Sequence, residues 1–182
     1  TNAASTSKGV TNETTKYTGG AEVYSIFTAA FPTVGSGTSF QRIGLYDTNN
    51  GFFLGYEGNS FGVTVRKGAG DVTTPKASFS EDTLVGGASS KFTRAGVPEA
   101  INLTRLNVFR IRYGWVGSAP IKFEVLSPDG EFVVFHIIKQ PNLALVPSIE
   151  NSDIPFTCNV VTGNSGTALS ILTNCWVAGT TQ

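Results

Sequence analysis

The chain has 182 residues, with 13 Lys+Arg against 13 Asp+Glu, so its formal net charge at pH 7 is zero. That balance, without any run of five basic residues, disfavours nucleic acid, whose recognition requires neutralised phosphates, and adsorption to an anionic membrane. No apolar run nears the ~18 residues of a spanning helix, and charged residues make up only 14%, so membrane insertion, disorder and coiled coil are all disfavoured.

Twenty-one Gly and 13 Phe, with abundant Thr and Val, predict many short strands separated by turns. Residues 1–20 are rich in Thr, Ser, Asn and Gly and hold almost no large apolar residue before Tyr17. They read as a flexible N-terminal arm, followed by one β-sandwich domain over residues 21–182. No secretory signal is visible at the N-terminus.

EVYSIFTAAF, beginning at Glu22, alternates as a strand. FQRIGLYD follows, then a turn at TNNG in which Asn50–Gly51 is a strong hairpin signal. FFLGYEG and FGVTVRKG complete a meander, with a turn at Asn59–Ser60 between them. Gly44, Gly55 and Gly62 fall inside these strands, which points to bulges or close backbone approach. Residues 68–107 are irregular and are the first place to expect a binding loop. NVFRIRYGWVG is a strand with Phe109, Ile111, Tyr113 and Trp115 on one face. IKFEVL turns Ile121, Phe123 and Val125 inward and Lys122 and Glu124 outward. Ser127–Gly130 is a turn in which Pro128 presets φ and Gly130 takes the left-handed position. EFVVFHIIK is apolar on both faces and reads as a central strand. FTCNVVTG and ALSILTNCWVAG read as a closing pair around Asn164–Gly166. With no helical period over twelve residues, the fold class is all-β: an antiparallel two-sheet β-sandwich of roughly ten strands, jelly-roll or lectin-like.

The chemistry-bearing residues do not converge. The sole histidine, His136, sits mid-strand among Phe, Val and Ile, without a nucleophile motif, so it reads as a hydrogen-bonded structural histidine rather than the base of a triad. Glu57 with Glu124, or Asp47 with Glu131, are the carboxylate pairs a glycosidase would need, but no spacing selects either. Asp47-Thr-Asn-Asn-Gly51 opens like a calcium loop, yet the bidentate acid would fall on Gly58. Two Cys and one His cannot complete a zinc site without carboxylates. Cys158 and Cys175 read as small buried hydrophobes, with a disulfide left open. Asn12-Glu-Thr and Asn102-Leu-Thr are sequons treated as incidental. No catalytic, metal-ligating or cofactor-binding residue is assigned, and the chain reads as a non-enzyme. Tyr56, Trp115 and Trp176 are the aromatics able to stack on a sugar, with Trp115 and Tyr56 expected to serve packing first.

Two blocks of the sequence carry a resemblance. In the first, Ile43, Gly44, Asp47, Gly51, Phe52, Phe53, Gly55, Tyr56, Gly58, Phe61, Gly62 and Arg66 match an "iG-aromatic-D, N-G-aromatic-F, G-Y-x-G-x-x-F-G-V, R" pattern. In the second, Tyr113, Trp115, Gly117, Ile121, Phe123, Val125 and His136 match "yxWLGxgxIxFxV…G…H". Together they make residues 21–178 resemble a β-sandwich module of virion structural proteins of tailed phages and large DNA viruses. The resemblance implies a capsid, decoration, turret or fibre subunit located in the virion, whose partners are other copies of itself and other virion proteins. The alternative expectation is a carbohydrate- or receptor-binding module that takes a host-surface glycan in a shallow groove with an exposed Tyr or Trp.

Overall fold

Alternation of period two decides which side of each strand is buried. In β2 (Glu22–Ala29), Val23, Ser25, Phe27 and Ala29 are buried, while Glu22, Tyr24, Ile26 and Thr28 are half-exposed. The computed structural model describes residues 4–16, 20–114, 119–143, 145–151 and 153–181. Within them β1 (Thr6–Thr14) precedes β2. Next come β3 (Phe40–Tyr46), β4 (Asn50–Glu57), β5 (Ser60–Lys67) and β6 (Gly70–Pro75). A two-residue hairpin follows, β7 (Thr93–Arg94) with β8 (Val97–Pro98). The chain continues through β9 (Asn107–Gly114), β10 (Ile121–Leu126), β11 (Phe132–Ile138), β12 (Pro155–Val161) and β13 (Trp176–Thr181).

Eleven of these strands form two antiparallel sheets, ordered β1-β12-β3-β4-β5-β6 and β11-β10-β9-β2-β13. Phe27, Phe52, Phe109, Phe123, Phe135 and Tyr113 are among the largest fully buried side chains, and they pack with Ile43, Leu45 and Leu54 into one core between the sheets. The expected two-sheet β-sandwich is therefore what the chain forms.

Four local expectations are revised. Residues 6–14, read as part of an arm, are a strand hydrogen-bonded to β12, with Thr6 opposite Val161. An outermost strand exposed on both faces carries no apolar alternation, so nothing in its sequence marks it. Next, β11 is an edge strand, not a central one. Its register breaks between Phe123 and Glu124 of β10, and that bulge sends both Phe135 and His136 into buried positions, which makes the sequence look apolar on both faces. The expected closing pair does not form either: β12 joins β3 and β1, and β13 joins β2 in the other sheet. Finally, the β3–β4 turn falls on residues 47–49, where Asp47 Oδ1 accepts the backbone N–H groups of Asn49 and Asn50 at 2.7 Å each. Asn50 and Gly51 themselves belong to β4.

The interior-strand glycines serve close approach. Gly55 lies opposite Arg42 and Gly62 at φ 151°, and a Cβ there would overlap the carbonyl of Gln41. Gly44, at φ 152°, would drive a Cβ to 2.7 Å from the Cα of Phe53.

Candidate functional site

The outward face of the six-stranded sheet is sealed by ion pairs. Arg42 and Arg66 lie 5.4 and 5.3 Å from the ring centroid of buried Phe53. Glu57 takes Arg42 at 2.5 and 2.9 Å, and Asp71 takes Arg66 at 2.7 and 2.9 Å. Several residues of the first sequence block (Phe53, Arg66 and the strand glycines) thus build a structural layer. Across the other sheet Glu124, only 1% exposed, lies between Arg110 and Arg112 and accepts hydrogen bonds from both. Glu57 and Glu124 occupy the outer faces of opposite sheets, so they cannot flank one sugar. Asp47 is held in the β3–β4 turn, whereas the backbone N–H of Glu131 donates to Ser127 Oγ in the β10–β11 turn of the other sheet. The structure brings together neither pair.

His136 behaves as the sequence leads one to expect. Its Nδ1 accepts the N–H of Ser80 at 3.1 Å, the rings of Phe79 and Phe123 lie at 5.6 and 6.3 Å, and burial pushes its pKa below the usual imidazole value. Both cysteines are free. Cys158 is half-buried, with its thiol pushed up to about 11 by burial, while Cys175 is exposed rather than buried. Among the described residues no cluster of His, Cys, Asp and Glu is arranged to hold a metal ion.

Of the three aromatics singled out, Tyr56 packs edge-on against Phe31 and Phe61 and serves the core. Trp115 lies outside the described residues. Trp176 is 36% exposed and lines a groove of about 640 Å³. The groove opens where β1 of one sheet runs beside β13 of the other. Trp176 is placed by its neighbours: Thr28 Oγ1 accepts the N–H groups of Asn174 and Cys175 at 2.8 and 3.4 Å, and Thr28 N–H donates to Cys175 O at 3.2 Å. One indole face is stacked on Phe156, with planes 1° apart and centroids at 5.1 Å. The small side chain of Ala178, on the same face of β13, leaves the space beside it open, and Asn12, Glu13, Thr14 and Lys16 supply exposed amide, carboxylate, hydroxyl and ammonium groups along the opposite wall. Thr15 at the base is buried, bonded to Tyr113 OH at 3.3 Å and to Ile154 O at 3.1 Å. Burial pushes the Tyr113 phenol up to about 12 and keeps it neutral. An aromatic plate beside short polar side chains, in an open groove, fits a polar ring-shaped ligand with one apolar face.

The sequence marked Trp176 but missed the opposite wall. Residues 12–16 carry no apolar signal, and the irregular stretch 68–107, where a binding loop was expected, supplies none of the groove.

No family model matches the sequence, and no curated protein sequence matches it. Among solved structures the chain is similar to the endo-β-1,4-glucuronan lyase of the fungus Trichoderma reesei, with a TM-score of 0.55 at 12% identity over 98% of this chain and 76% of that one. It is also similar to the carbohydrate recognition domain of Emp46p, with a TM-score of 0.47 at 12% identity over 96% of this chain and 87% of that one. At 12% identity the likeness to the lyase shows the fold alone, the two-sheet β-sandwich.

Proposed function

We propose that this protein is a non-catalytic carbohydrate-binding module that seats a glycan ring on Trp176, in the groove between β1 and β13. The observation that carries this reading is the indole itself, backed by Phe156 and flanked by polar side chains. A large aromatic held rigid and left partly open gains contact area without paying much ordering entropy. Glucuronan, which the Trichoderma enzyme's name gives as its substrate, makes polysaccharide a chemistry this architecture accommodates, by analogy of fold. The resemblance of the two sequence blocks to a module of virion structural proteins supports a location in a virion, where the module would serve attachment of the particle to a host-surface glycan.

The test is a glycan array followed by calorimetric titration of the best hit against the whole chain and against Trp176→Ala. Loss of an interface aromatic costs about 2 kcal/mol or more, so the substitution should weaken binding at least about tenfold, measured well below the variant's unfolding midpoint, which the lost stacking on Phe156 lowers. Undiminished binding by Trp176→Ala, or no glycan bound by the native chain, overturns the assignment.

A further inference from the structure

The opposite side of the sandwich presents a different surface. There β6 ends the six-stranded sheet and β11 ends the five-stranded one. Between them lies a groove of about 830 Å³ whose apolar lining includes Val65, Val72, Ile137, Ile138, Leu145 and Val146. The segment after β11 crosses from one sheet to the other and is tied down at its far end. Lys67 Nζ donates to Pro147 O at 2.6 Å, and Glu150 N–H donates to Asn50 Oδ1 at 2.8 Å. Two of its apolar residues are nevertheless turned out, Leu145 at 100% and Val146 at 61% exposed, and Val72 of β6, which lines the same groove, is 73% exposed. A contiguous apolar patch of this kind on a polar surface marks an interaction site.

The strand that borders the groove is also open. β11 is blocked: Glu81 and Asp82 N–H both donate to Phe135 O at 3.2 Å, and Ile137 N–H donates to Ser80 Oγ at 3.0 Å. β1 has an irregular register between Val10 and Thr14 and carries Lys8. β13 borders the Trp176 groove. By contrast, β6 pairs with β5 in unbroken register from Lys67↔Gly70 to Gly62↔Pro75, and among the described residues nothing pairs its outer edge. It holds no lysine, bulge or internal proline, the devices that ordinarily keep an edge from pairing. Its one charge, Asp71, is neutralised by Arg66.

We propose that this face joins two copies of the chain, with β6 of each pairing antiparallel to β6 of the other across a two-fold axis while Leu145 and Val146 of each cover the partner's groove. A two-fold contact uses the same patch twice, so that patch must contain both complementary halves. Here the open edge, the apolar groove and the apolar tip are contiguous. With Asp71 already paired, the two edges meet without like-charge repulsion. The edge is roughly 20 Å long at ~3.3 Å per residue, and Val72, facing the groove side with Val65, would lie near the axis.

Light-scattering mass of the whole chain, across dilution from about 100 μM to 1 μM, reads the proposal directly. The expected result is twice the chain mass at the upper end. Val72→Lys, which places a charge on the edge, and Leu145→Glu, at an already exposed tip, should each raise the dissociation constant at least about tenfold. Val97→Glu, on the exposed β7–β8 hairpin, should leave it unchanged, and so should Trp176→Ala, because the glycan groove is on the other side. A single-chain mass throughout would free this face for a different partner and overturn the proposal, as would a dimer that neither Val72→Lys nor Leu145→Glu weakens.

Discussion

His136 is held neutral by geometry and burial together. Its Nδ1 accepts the Ser80 N–H, so a second proton on the ring would abolish that bond, and desolvation already lowers its pKa from 6.5. A base whose pKa is lower folded than unfolded binds more protons in the unfolded chain. Its contribution is therefore complete above pH 6.5 and is lost as pH falls below that value through the folded pKa. Urea unfolding should show stability declining over that window in the native chain and a shallower decline in His136→Gln, which keeps an acceptor but does not titrate there. Equal slopes would refute the assignment. Glu124 works in the opposite sense, as a charged group whose burial depends on its partners. Removing it leaves Arg110 and Arg112 facing each other on an outer face where each is about a quarter exposed. Glu124→Leu should cost about 2–3 kcal/mol, somewhat less than the loss of one partner in a fully buried pair, read from the urea midpoint. The sequence already turned Glu124 outward. Its burial was not legible, because that depends on the cross-strand register that sets Arg110 opposite Glu124 and Arg112 opposite Lys122.

At the scale of elements, the glycines of β3 and β4 were readable as sites of close approach, and the structure supplies the atoms. Gly55→Ala would combine a φ of 151° with a Cβ overlapping the Gln41 carbonyl, two backbone conflicts that no rotamer relieves. A loss of at least about 3 kcal/mol is expected, seen as a lower thermal midpoint or loss of soluble protein. Gly87→Ala, with nothing within 4 Å of its Cβ and no positive φ, should be nearly neutral. A Gly55→Ala chain as stable as Gly87→Ala would show that the sheet yields there. Most strands could be read because one face is buried and one is not. β1, exposed at every position but Thr11, and β6, exposed along most of its length, offered no such contrast. β11 misled for the converse reason: its bulge places two successive side chains inward. Each candidate surface borders one of the silent strands, so the sandwich was far more legible than its grooves.

At the scale of the whole molecule, local pattern supplied the strands but not their order. Hairpin neighbours follow from turn chemistry, as β3, β4 and β5 do. The placement of β12 between β1 and β3 depends on which long-range pairing leaves no core residue exposed, and no short window contains that information. The Trp176 groove shares this origin, since its walls come from opposite ends of the described chain.

The insertion of β12 also has a consequence in time. Thr157 Oγ1 reaches Tyr46 O across 111 residues of sequence, and Ser5 meets Thr162 across 157. Closing loops of that length delays the contacts they reward, so the chain belongs with slow, high-contact-order folders. As it leaves the ribosome, β3 and β4 can pair at once, but the other side of β3 has no partner until β12 emerges. At about 5–20 residues per second that interval is several seconds to some twenty. Throughout it the nascent protein carries a bare flank of β3 that the finished molecule hides completely, and for that interval this flank is open to pairing with the wrong chain.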